Sequence, residues 1–245
     1  MASRTIHPRS AHTGMRLDTR CETCNVRRFT FCGALAAQEL VDVEAISLQV
    51  GVAPHTTIIN EGDEATYVYN VTSGAGMSFK LMSDGRRQVT GFLFPGDFIG
   101  LSARGAYAYS VDAIRPMTLC RFTRNELATL CQRHAGLEQR MFGMVTDELA
   151  LAQDQMLLLG RKHARERVAS FLLRLSERQA ERGQAEDPVD LPMTRADIAD
   201  YLGLTTETVS RTMTKMHREG LIEIAKPDRV HLKDREAVGK VAGIG

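Results

Sequence analysis

The hydrophobic pattern of this 245-residue chain changes near Asn125, and that change limits the folds open to it. Through residues 44–122, turn signals such as Pro95-Gly96-Asp97 recur roughly every 10 to 12 residues. Strand-like runs lie between them, for example Tyr67–Val71 and Val89–Phe94. This spacing is typical of a small antiparallel barrel or sandwich. After Asn125 the apolar residues recur every three or four positions, which predicts helices.

Composition narrows the class of protein without identifying it. Hydrophobic residues make up 43% of the chain and charged residues 25%, which is enough for a packed core. The net charge is +1, so a nucleic-acid surface would have to be a local one. No apolar run reaches the roughly 18 residues of a membrane helix, and the first twenty residues lack the apolar stretch of a secretory signal. We therefore expect a cytoplasmic protein in a reducing compartment.

The first helical region carries a wide apolar face. Seven of its residues follow the spacing of three or four positions. They are Leu137, Met141, Val145, Leu149, Ala152, Met156 and Leu159. A second set, Met144, Leu151 and Leu158, repeats every seven residues, so one side can cover the barrel while the other meets a second copy. We predict a homodimer interface on these seven residues; the alternative is a helix buried within one monomer.

Two short helices joined by a tight turn are predicted near the C-terminal end. Thr194 followed by Asp197 is a capping pattern that opens the first helix, which ends at Gly203. A second helix begins at Thr206 and ends near Gly220. This arrangement is a helix-turn-helix. Its predicted core consists of Ile198, Leu202, Leu204, Val209, Met213 and Met216.

The outward face of the second helix carries groups that suit base edges in DNA. They are Thr206, Glu207, Ser210, Arg211 and Lys215. Arginine pairs with guanine, a carboxylate accepts from cytosine, and a hydroxyl group serves either. The apolar runs Leu221–Ile224 and Val230–Leu232 then predict a hairpin wing beside the helices. We predict binding to double-stranded DNA; a solvated helical hairpin without a ligand is the alternative.

Three of the five cysteines lie within twelve residues, as Cys21, Cys24 and Cys32. In a reducing compartment such thiols are metal ligands or reactive groups rather than disulfides. A tetrahedral or cubane site needs a fourth ligand, for which Cys120 and Cys131 are the candidates. Cys131 shares a predicted helix face with apolar residues and fits a small buried hydrophobe better. Zinc, an iron–sulfur cluster and metal-free redox thiols all remain open on these residues.

Together these segments resemble the CRP/FNR superfamily of bacterial transcription regulators. The matching stretches are Phe94–Gly100, Gln153–Leu159 and Met193–Arg211. The resemblance implies an α+β protein with an N-terminal antiparallel β-roll, a long dimerisation helix and a C-terminal winged helix-turn-helix. We place the cysteine-rich segment at 1–40, the β-roll sensory domain at 41–133, the dimerisation helix at 134–162 and the DNA-binding domain at 163–245.

The stretch Glu207–Arg211 is similar to the recognition helix of the oxygen-sensing, fumarate-and-nitrate-reduction branch. The resemblance implies that Glu207, Ser210 and Arg211 read a TTGAT half-site within an inverted repeat. Thr206 replaces a valine that many members carry, which leaves the outermost base open. No arginine lies in Ala106–Val111 to pair with a cyclic phosphate, and a buried unpaired anion is costly. We therefore predict no cyclic-nucleotide site.

The same branch implies a [4Fe-4S] cluster on Cys21, Cys24, Cys32 and Cys120 that favours the DNA-binding dimer without oxygen. Arg27 and Arg28 could stabilise such an anionic cluster. The resemblance also implies a transcription activator that touches RNA polymerase, through the turn Asp84–Arg87 if that turn is not merely solvated. The alternatives are the same fold sensing by thiol redox or another ligand, zinc in place of iron, and an iron–sulfur electron carrier. No nucleophile–base pair or phosphate loop is evident, so no enzyme is predicted.

Overall fold

The structure is a computed structural model that describes residues 20–102 and 105–243. Residues 1–19 of the predicted cysteine-rich segment lie outside the described residues. From its amino to its carboxyl end, the described chain forms a cysteine-containing segment, a β-roll, a long helix and a winged helical domain. The predicted fold class is confirmed.

Two four-stranded antiparallel sheets form the β-roll. One sheet has the order β1-β8-β3-β6 and the other the order β2-β7-β4-β5. The strands are β1 (Leu48–Val52), β2 (Thr57–Ile59), β3 (Tyr67–Ser73), β4 (Gly76–Leu81), β5 (Arg87–Leu93), β6 (Phe98–Ile99), β7 (Ser110–Ala113) and β8 (Met117–Thr123). Their inward side chains form an apolar core, in which Val71, Ile99 and Leu119 are fully buried. Strands β3 and β4 each have four consecutive buried residues, because β3 also packs on the cysteine-containing segment and β4 on the C-terminal domain.

The cysteine-containing segment packs on the outer side of the first sheet. It consists of single 3₁₀ turns at Arg27–Phe29, Phe31–Ala34 and Ala37–Glu39, followed by helix α1 (Leu40–Ile46). Phe31 is fully buried, with its ring 5.7 Å from Phe98 and 5.2 Å from Phe122, centroid to centroid. That aromatic contact fixes the segment to strands β6 and β8.

Two helices follow the β-roll, α2 (Arg124–Arg133) and α3 (Ala135–Arg161). The 27 residues of α3 correspond to a length of about 40 Å at 1.5 Å per residue. The start of α3 packs against the 3₁₀ turn Phe31–Ala34, and Leu137 is fully buried there. No helix among the described residues is long and apolar enough to cross a membrane.

The C-terminal domain is a winged helix-turn-helix, as predicted. Its helices are α4 (Ala164–Glu181), α5 (Arg195–Leu202), α6 (Thr206–Arg218) and α7 (Arg235–Ala242). The wing is a three-stranded antiparallel sheet with β11 at its centre. Its strands are β9 (Val189–Asp190), β10 (Ile222–Lys226) and β11 (Arg229–Leu232).

The β-roll and the C-terminal domain share one apolar core. Phe92 of β5 lies 5.3 Å from Tyr201 of α5 and 6.0 Å from Phe171 of α4, between ring centroids. Met77, Val89 and other buried side chains of the β-roll belong to the same cluster as the core of the helix-turn-helix. The first helix of the helix-turn-helix therefore packs directly on the β-roll.

Candidate nucleic-acid interface and cysteine cluster

The helix-turn-helix is held together by the local signals of its sequence. The Thr194 hydroxyl accepts from the Asp197 backbone N–H at 3.1 Å, and the Thr194 N–H donates to the Asp197 carboxylate at 2.9 Å. Gly203 ends α5 in the left-handed conformation, with φ of 61°. Thr205 caps α6 by accepting from the Thr208 N–H at 3.1 Å. Five of the six predicted core residues are buried, and the sixth, Leu204, is partly buried against them.

All five predicted DNA-contacting residues lie exposed on α6, namely Thr206, Glu207, Ser210, Arg211 and Lys215. The Arg211 guanidinium is 3.7 Å from the Glu207 carboxylate one turn away, and both side chains are more than two-thirds exposed. An exposed pair of this kind contributes little stability and leaves both groups available. Thr214, three residues after Arg211, and Arg218, four residues after Thr214, continue the same exposed face, which this helical spacing could have indicated.

The first helix of the motif is anchored from the β-roll. The Arg87 guanidinium is 2.6 Å from the Asp197 carboxylate and 2.8 Å from the Asp200 carboxylate. Burial acts against ionisation of Asp197, but hydrogen bonds from Thr194 and Arg87 outweigh it and hold the Asp197 pKa below its usual value. Gln88 also donates to the Asp200 backbone carbonyl at 2.6 Å. These contacts fix how the DNA-binding domain sits on the β-roll.

A second set of ion pairs joins α4 to the turn that follows β5. Asp97 accepts from Arg178 at 2.7 Å and from Arg182 at 3.2 Å. On the other side of this turn, Gly96 has φ of 100°, and a Cβ there would lie 2.7 Å from the Phe29 Cβ. The turn is therefore in contact with both the cysteine-containing segment and the DNA-binding domain.

Four cysteines from two distant parts of the chain lie close together. Burial raises the pKa of Cys21 to about 11, and proximity to Glu44, Cys120 and Cys24 adds to the shift. Burial likewise raises the pKa of Cys32 to about 12, with Cys21, Cys120 and Cys24 acting in the same direction. All four thiols are free. These are the four residues predicted as ligands.

The described side chains do not form a closed metal cage. Across residues 20–102 and 105–243, no group of three or more His, Cys, Asp or Glu side chains is positioned to hold a metal ion. The chemistry of the donors nevertheless fits a thiolate-ligated metal. A bound cation removes the proton from a coordinating thiol, which offsets the burial that keeps these thiols neutral.

The remaining cysteine lies apart from the other four. The Cys131 thiol donates to the Met141 sulfur at 3.7 Å and packs against the core beneath the cysteine-containing segment. Burial raises its pKa, with Glu138 acting in the same direction. The prediction of a small buried hydrophobe is met only in part, because Cys131 packs against the core but is half-buried.

The arginine that lowers the pKa of two of the cysteines is not one of the pair that the sequence analysis considered. Arg20 lowers the pKa of Cys21 and Cys120, against the larger effect of burial. Arg27 instead donates to the Leu35 carbonyl at 2.5 Å, and Arg28 stacks on the Phe29 ring at 4.4 Å. Sequence spacing alone favoured the arginine pair, because Arg20 precedes the cysteine motif rather than lying within it.

The apolar face of α3 divides into two sides. Val145, Leu149 and Met156 of the predicted interface are exposed, with Met156 at 70%. Ala152 is exposed as well, whereas Met141 and Leu159 are partly buried against the chain's own cores. The prediction for Leu137 is wrong, because that side chain is fully buried beneath the cysteine-containing segment.

The exposed side follows a heptad spacing that includes a residue the sequence reasoning missed. Phe142 is 73% exposed and lies three residues before Val145 and seven before Leu149. Residues 142, 145, 149, 152 and 156 thus occupy successive a and d positions. We call these five residues the exposed seam of α3.

Two tyrosines of the stretch Ala106–Val111 pack in the core of the β-roll and bond to its backbone. The Tyr107 hydroxyl donates to the Tyr67 carbonyl at 2.8 Å and accepts from the Tyr67 N–H at 3.1 Å. The Tyr109 hydroxyl accepts from the Gly100 N–H at 3.3 Å. No arginine lies in this stretch, and the absence of a cyclic-nucleotide site stays a prediction.

A winged helix-turn-helix with an exposed polar second helix, packed on a β-roll, defines a DNA-binding regulator. Residues 166–240 match the family model of the Crp-like helix-turn-helix domain, and residues 49–134 match that of the cyclic nucleotide-binding domain. The transcriptional activatory protein AadR of Rhodopseudomonas palustris is 44% identical over 216 residues, 88% of this chain and 90% of AadR. The transcriptional activator protein FnrL of Cereibacter sphaeroides is 37% identical over 228 residues, 91% of this chain and 92% of FnrL.

Solved structures agree with these relatives. The structure of FixK2 from Bradyrhizobium japonicum matches with a TM-score of 0.76 and 36% identity, covering 80% of this chain and 97% of that one. The chain belongs to the CRP/FNR family of transcription regulators, as its sequence predicted. This family is not an enzymatic one.

Proposed function

We propose that this regulator is an oxygen-responsive transcription activator that binds DNA as a homodimer when Cys21, Cys24, Cys32 and Cys120 hold a [4Fe-4S] cluster. The observation that carries the proposal is the convergence of Cys120, on strand β8, with three cysteines about 90 residues earlier in the chain. The response to oxygen is inferred from the resemblance to the oxygen-sensing branch of the family. Such a cluster, when bound, provides an oxygen-labile link between the two segments.

The contacts of the cysteine-containing segment suggest how its position could affect dimerisation. The Phe29 carbonyl accepts from Arg140 of α3 at 3.4 Å, and the turn Phe31–Ala34 packs on the start of the same helix. A cluster that links this segment to Cys120 would also hold the amino-terminal end of α3 in place, because the segment packs on it. The exposed seam begins two residues after Arg140, so order at this end favours the paired form of the helix.

The exposed seam of α3 supports a homodimer. Large apolar side chains exposed at a heptad spacing are costly in water and are covered when two such helices pair. A dimer would present two α6 helices, which suits half-sites about one DNA turn, or 34 Å, apart. We propose that Glu207, Ser210 and Arg211 read the TTGAT half-site, with Thr206 and Lys215 contacting its edge and backbone.

Three alternatives to the iron–sulfur regulator account for fewer features of the chain. A thiol-redox sensor needs thiolates at neutral pH, yet burial raises the pKa of Cys21 and Cys32 well above that range. Zinc satisfies the same four sulfurs but offers no redox response. An iron–sulfur electron carrier would leave the helix-turn-helix without a role. The cluster-based regulator therefore accounts for the most features of the chain.

The test compares Cys120→Ser with Cys131→Ser after anaerobic purification. We expect about four irons and four sulfides per wild-type chain, and loss of both the metal and anaerobic binding to a TTGAT dyad in Cys120→Ser. Cys131→Ser should retain both, because Cys131 lies apart from the four. Stoichiometric zinc, or equal DNA binding by the two variants, would contradict the proposal.

The DNA contacts have a separate test. Replacing Arg211 with alanine should weaken binding to the TTGAT dyad by about 1–3 kcal/mol per half-site and reduce discrimination at the base it reads. Lys215→Ala should weaken binding to all sequences alike and lower the salt dependence. We also propose, from the family, that the protein is cytoplasmic. We propose that it contacts RNA polymerase and activates transcription rather than repressing it. Activation can be measured by transcription from a dyad-bearing promoter in vitro.

A further inference from the structure

A buried asparagine stands beside the four cysteines. Asn70 lies in the middle of β3, directly opposite Cys120 on β8, and is 2% exposed. Side chains of directly opposed residues on antiparallel strands project to the same face. Asparagine is uncommon within strands, and the surrounding core includes the apolar side chains of Val68 and Phe122. Packing alone would favour an apolar residue at this position.

The hydrogen bonds of Asn70 are incomplete in a specific way. Its amide nitrogen donates to the Cys32 sulfur at 3.7 Å, while its amide oxygen is buried without a hydrogen-bond partner among the described residues. A buried amide normally satisfies both of its ends. The same amide turned by 180° would still face the Cys32 sulfur with one end and leave the other unpaired. In either orientation, its neighbour is a predicted ligand.

The surroundings of Cys32 explain why a hydrogen-bond donor such as Asn70 is needed beside it. The Thr30 hydroxyl accepts from the Cys32 backbone N–H at 3.2 Å, which orients this residue, and the Cys32 side chain packs against an apolar core. A thiolate at this position needs donors to compensate the loss of water. Residues that hydrogen-bond to metal ligands fix their orientation and tune the metal site.

We propose that Asn70 is a positioning residue of the four-cysteine site, donating its side-chain N–H to the Cys32 sulfur when that sulfur is a thiolate. The inference rests on the proposed function, because it assumes that the four sulfurs bind metal. Loss of this N–H donor weakens metal binding and shifts the reduction potential of a bound cluster to lower values, since hydrogen bonds to sulfur stabilise the reduced, more negative state.

The experiment titrates the metal-free chain with Co²⁺ under argon and follows sulfur-to-cobalt charge-transfer absorption. Asn70→Leu, of similar size, should bind Co²⁺ roughly 10- to 100-fold more weakly than the wild type. Asn70→Ser, which keeps a donor, should recover part of the loss. Ser78→Ala removes another buried polar side chain of the β-roll, away from the cysteines, and should bind as the wild type does.

A second measurement separates positioning from a structural role. Urea unfolding of the metal-free Asn70→Leu protein should show stability equal to or above that of the wild type, because an unpaired buried oxygen has been removed. Equal Co²⁺ affinities for wild type and Asn70→Leu overturn the proposal. So does a loss of metal-free stability that matches the loss of affinity.

The outcomes for the two proposals remain distinct. If the wild type binds Co²⁺ through four sulfurs but takes up no iron and sulfide, the oxygen-sensing function fails while the cobalt comparison still decides the role of Asn70. If the wild type and Cys120→Ser bind Co²⁺ equally weakly, the four-cysteine site is refuted, and so is the positioning role of Asn70. Anaerobic reconstitution with iron and sulfide then adds the reduction potential as an independent measure.

Discussion

The ion pairs of Arg87 provide a quantitative test of how the DNA-binding domain is held. Arg87→Met keeps the apolar stem of the side chain and removes its charge. The Asp197 side chain is 11% exposed, so its pair with Arg87 should contribute about 1.5–3 kcal/mol as a charge-assisted hydrogen bond. The Asp200 side chain is 34% exposed, and solvent screening limits its pair to less than about 1 kcal/mol. We expect a total loss of about 1.5–4 kcal/mol in the free energy of unfolding.

The assay is urea unfolding at pH 7, with Arg86→Met as the matched control. Arg86 pairs with Asp84 on an exposed turn, where the two side chains are 72% and 50% exposed. Its replacement should change the free energy of unfolding by less than about 0.5 kcal/mol. Equal effects of the two variants would refute the reasoning. So would full additivity of Arg87→Met with Asp197→Asn, since paired groups must show a coupling energy.

The pH dependence follows from the Asp197 carboxyl group. Its pKa in the folded chain lies below the ordinary value of about 3.9, so its stabilisation is complete above that pH and is lost as pH falls through the folded-state pKa. In Arg87→Met the pKa should return towards the ordinary value. The difference in stability between wild type and variant should therefore be constant from pH 6 to 8 and narrow below about pH 4.

Three further changes test other parts of the chain. Gly203→Ala should lower the free energy of unfolding by about 1–2 kcal/mol, measured in urea, because an alanine must adopt the left-handed conformation there. Gly96→Ala should push Phe29 away and so weaken anaerobic DNA binding, measured by fluorescence anisotropy. Gly85→Ala, which has a positive φ but open space around it, should leave that binding unchanged. Leu149→Glu should raise the dimer dissociation constant at least tenfold in sedimentation equilibrium, and an unchanged constant would contradict pairing through the exposed seam.

Signals within a few residues of one another predicted most of the fold. Thr194, Asp197 and Gly203 set the bounds of α5 because caps act on the backbone next to them. Between Gly33 and Leu40, by contrast, single 3₁₀ turns occupy most of the span, and the α-helix begins only at Leu40. There the packing of Phe31 against the β-roll outweighs local helix propensity.

The candidate sites depended on contacts that periodicity does not encode. The helical spacing placed Leu137 on an apolar face, but could not tell which side of that face its own chain covers. Phe142 was missed for the same reason. Arg87 and Asp197 are 110 residues apart, and no local pattern relates them. Asn70 lies between Tyr69 and Val71 in β3, and its position beside the cysteines appears only when β3 is paired with β8.

The aromatic contact among Phe92, Phe171 and Tyr201 has a consequence for how the chain melts. Because one apolar core extends from the β-roll into α4 and α5, neither part can unfold without exposing the rings of the other. In calorimetry the two should appear as a single transition, with equal calorimetric and van't Hoff enthalpies. A DNA-binding fragment cut after α3 would carry an uncovered aromatic surface and precipitate. Exchanging the β-roll or the C-terminal domain between relatives should therefore require exchanging the apolar surface between them as well.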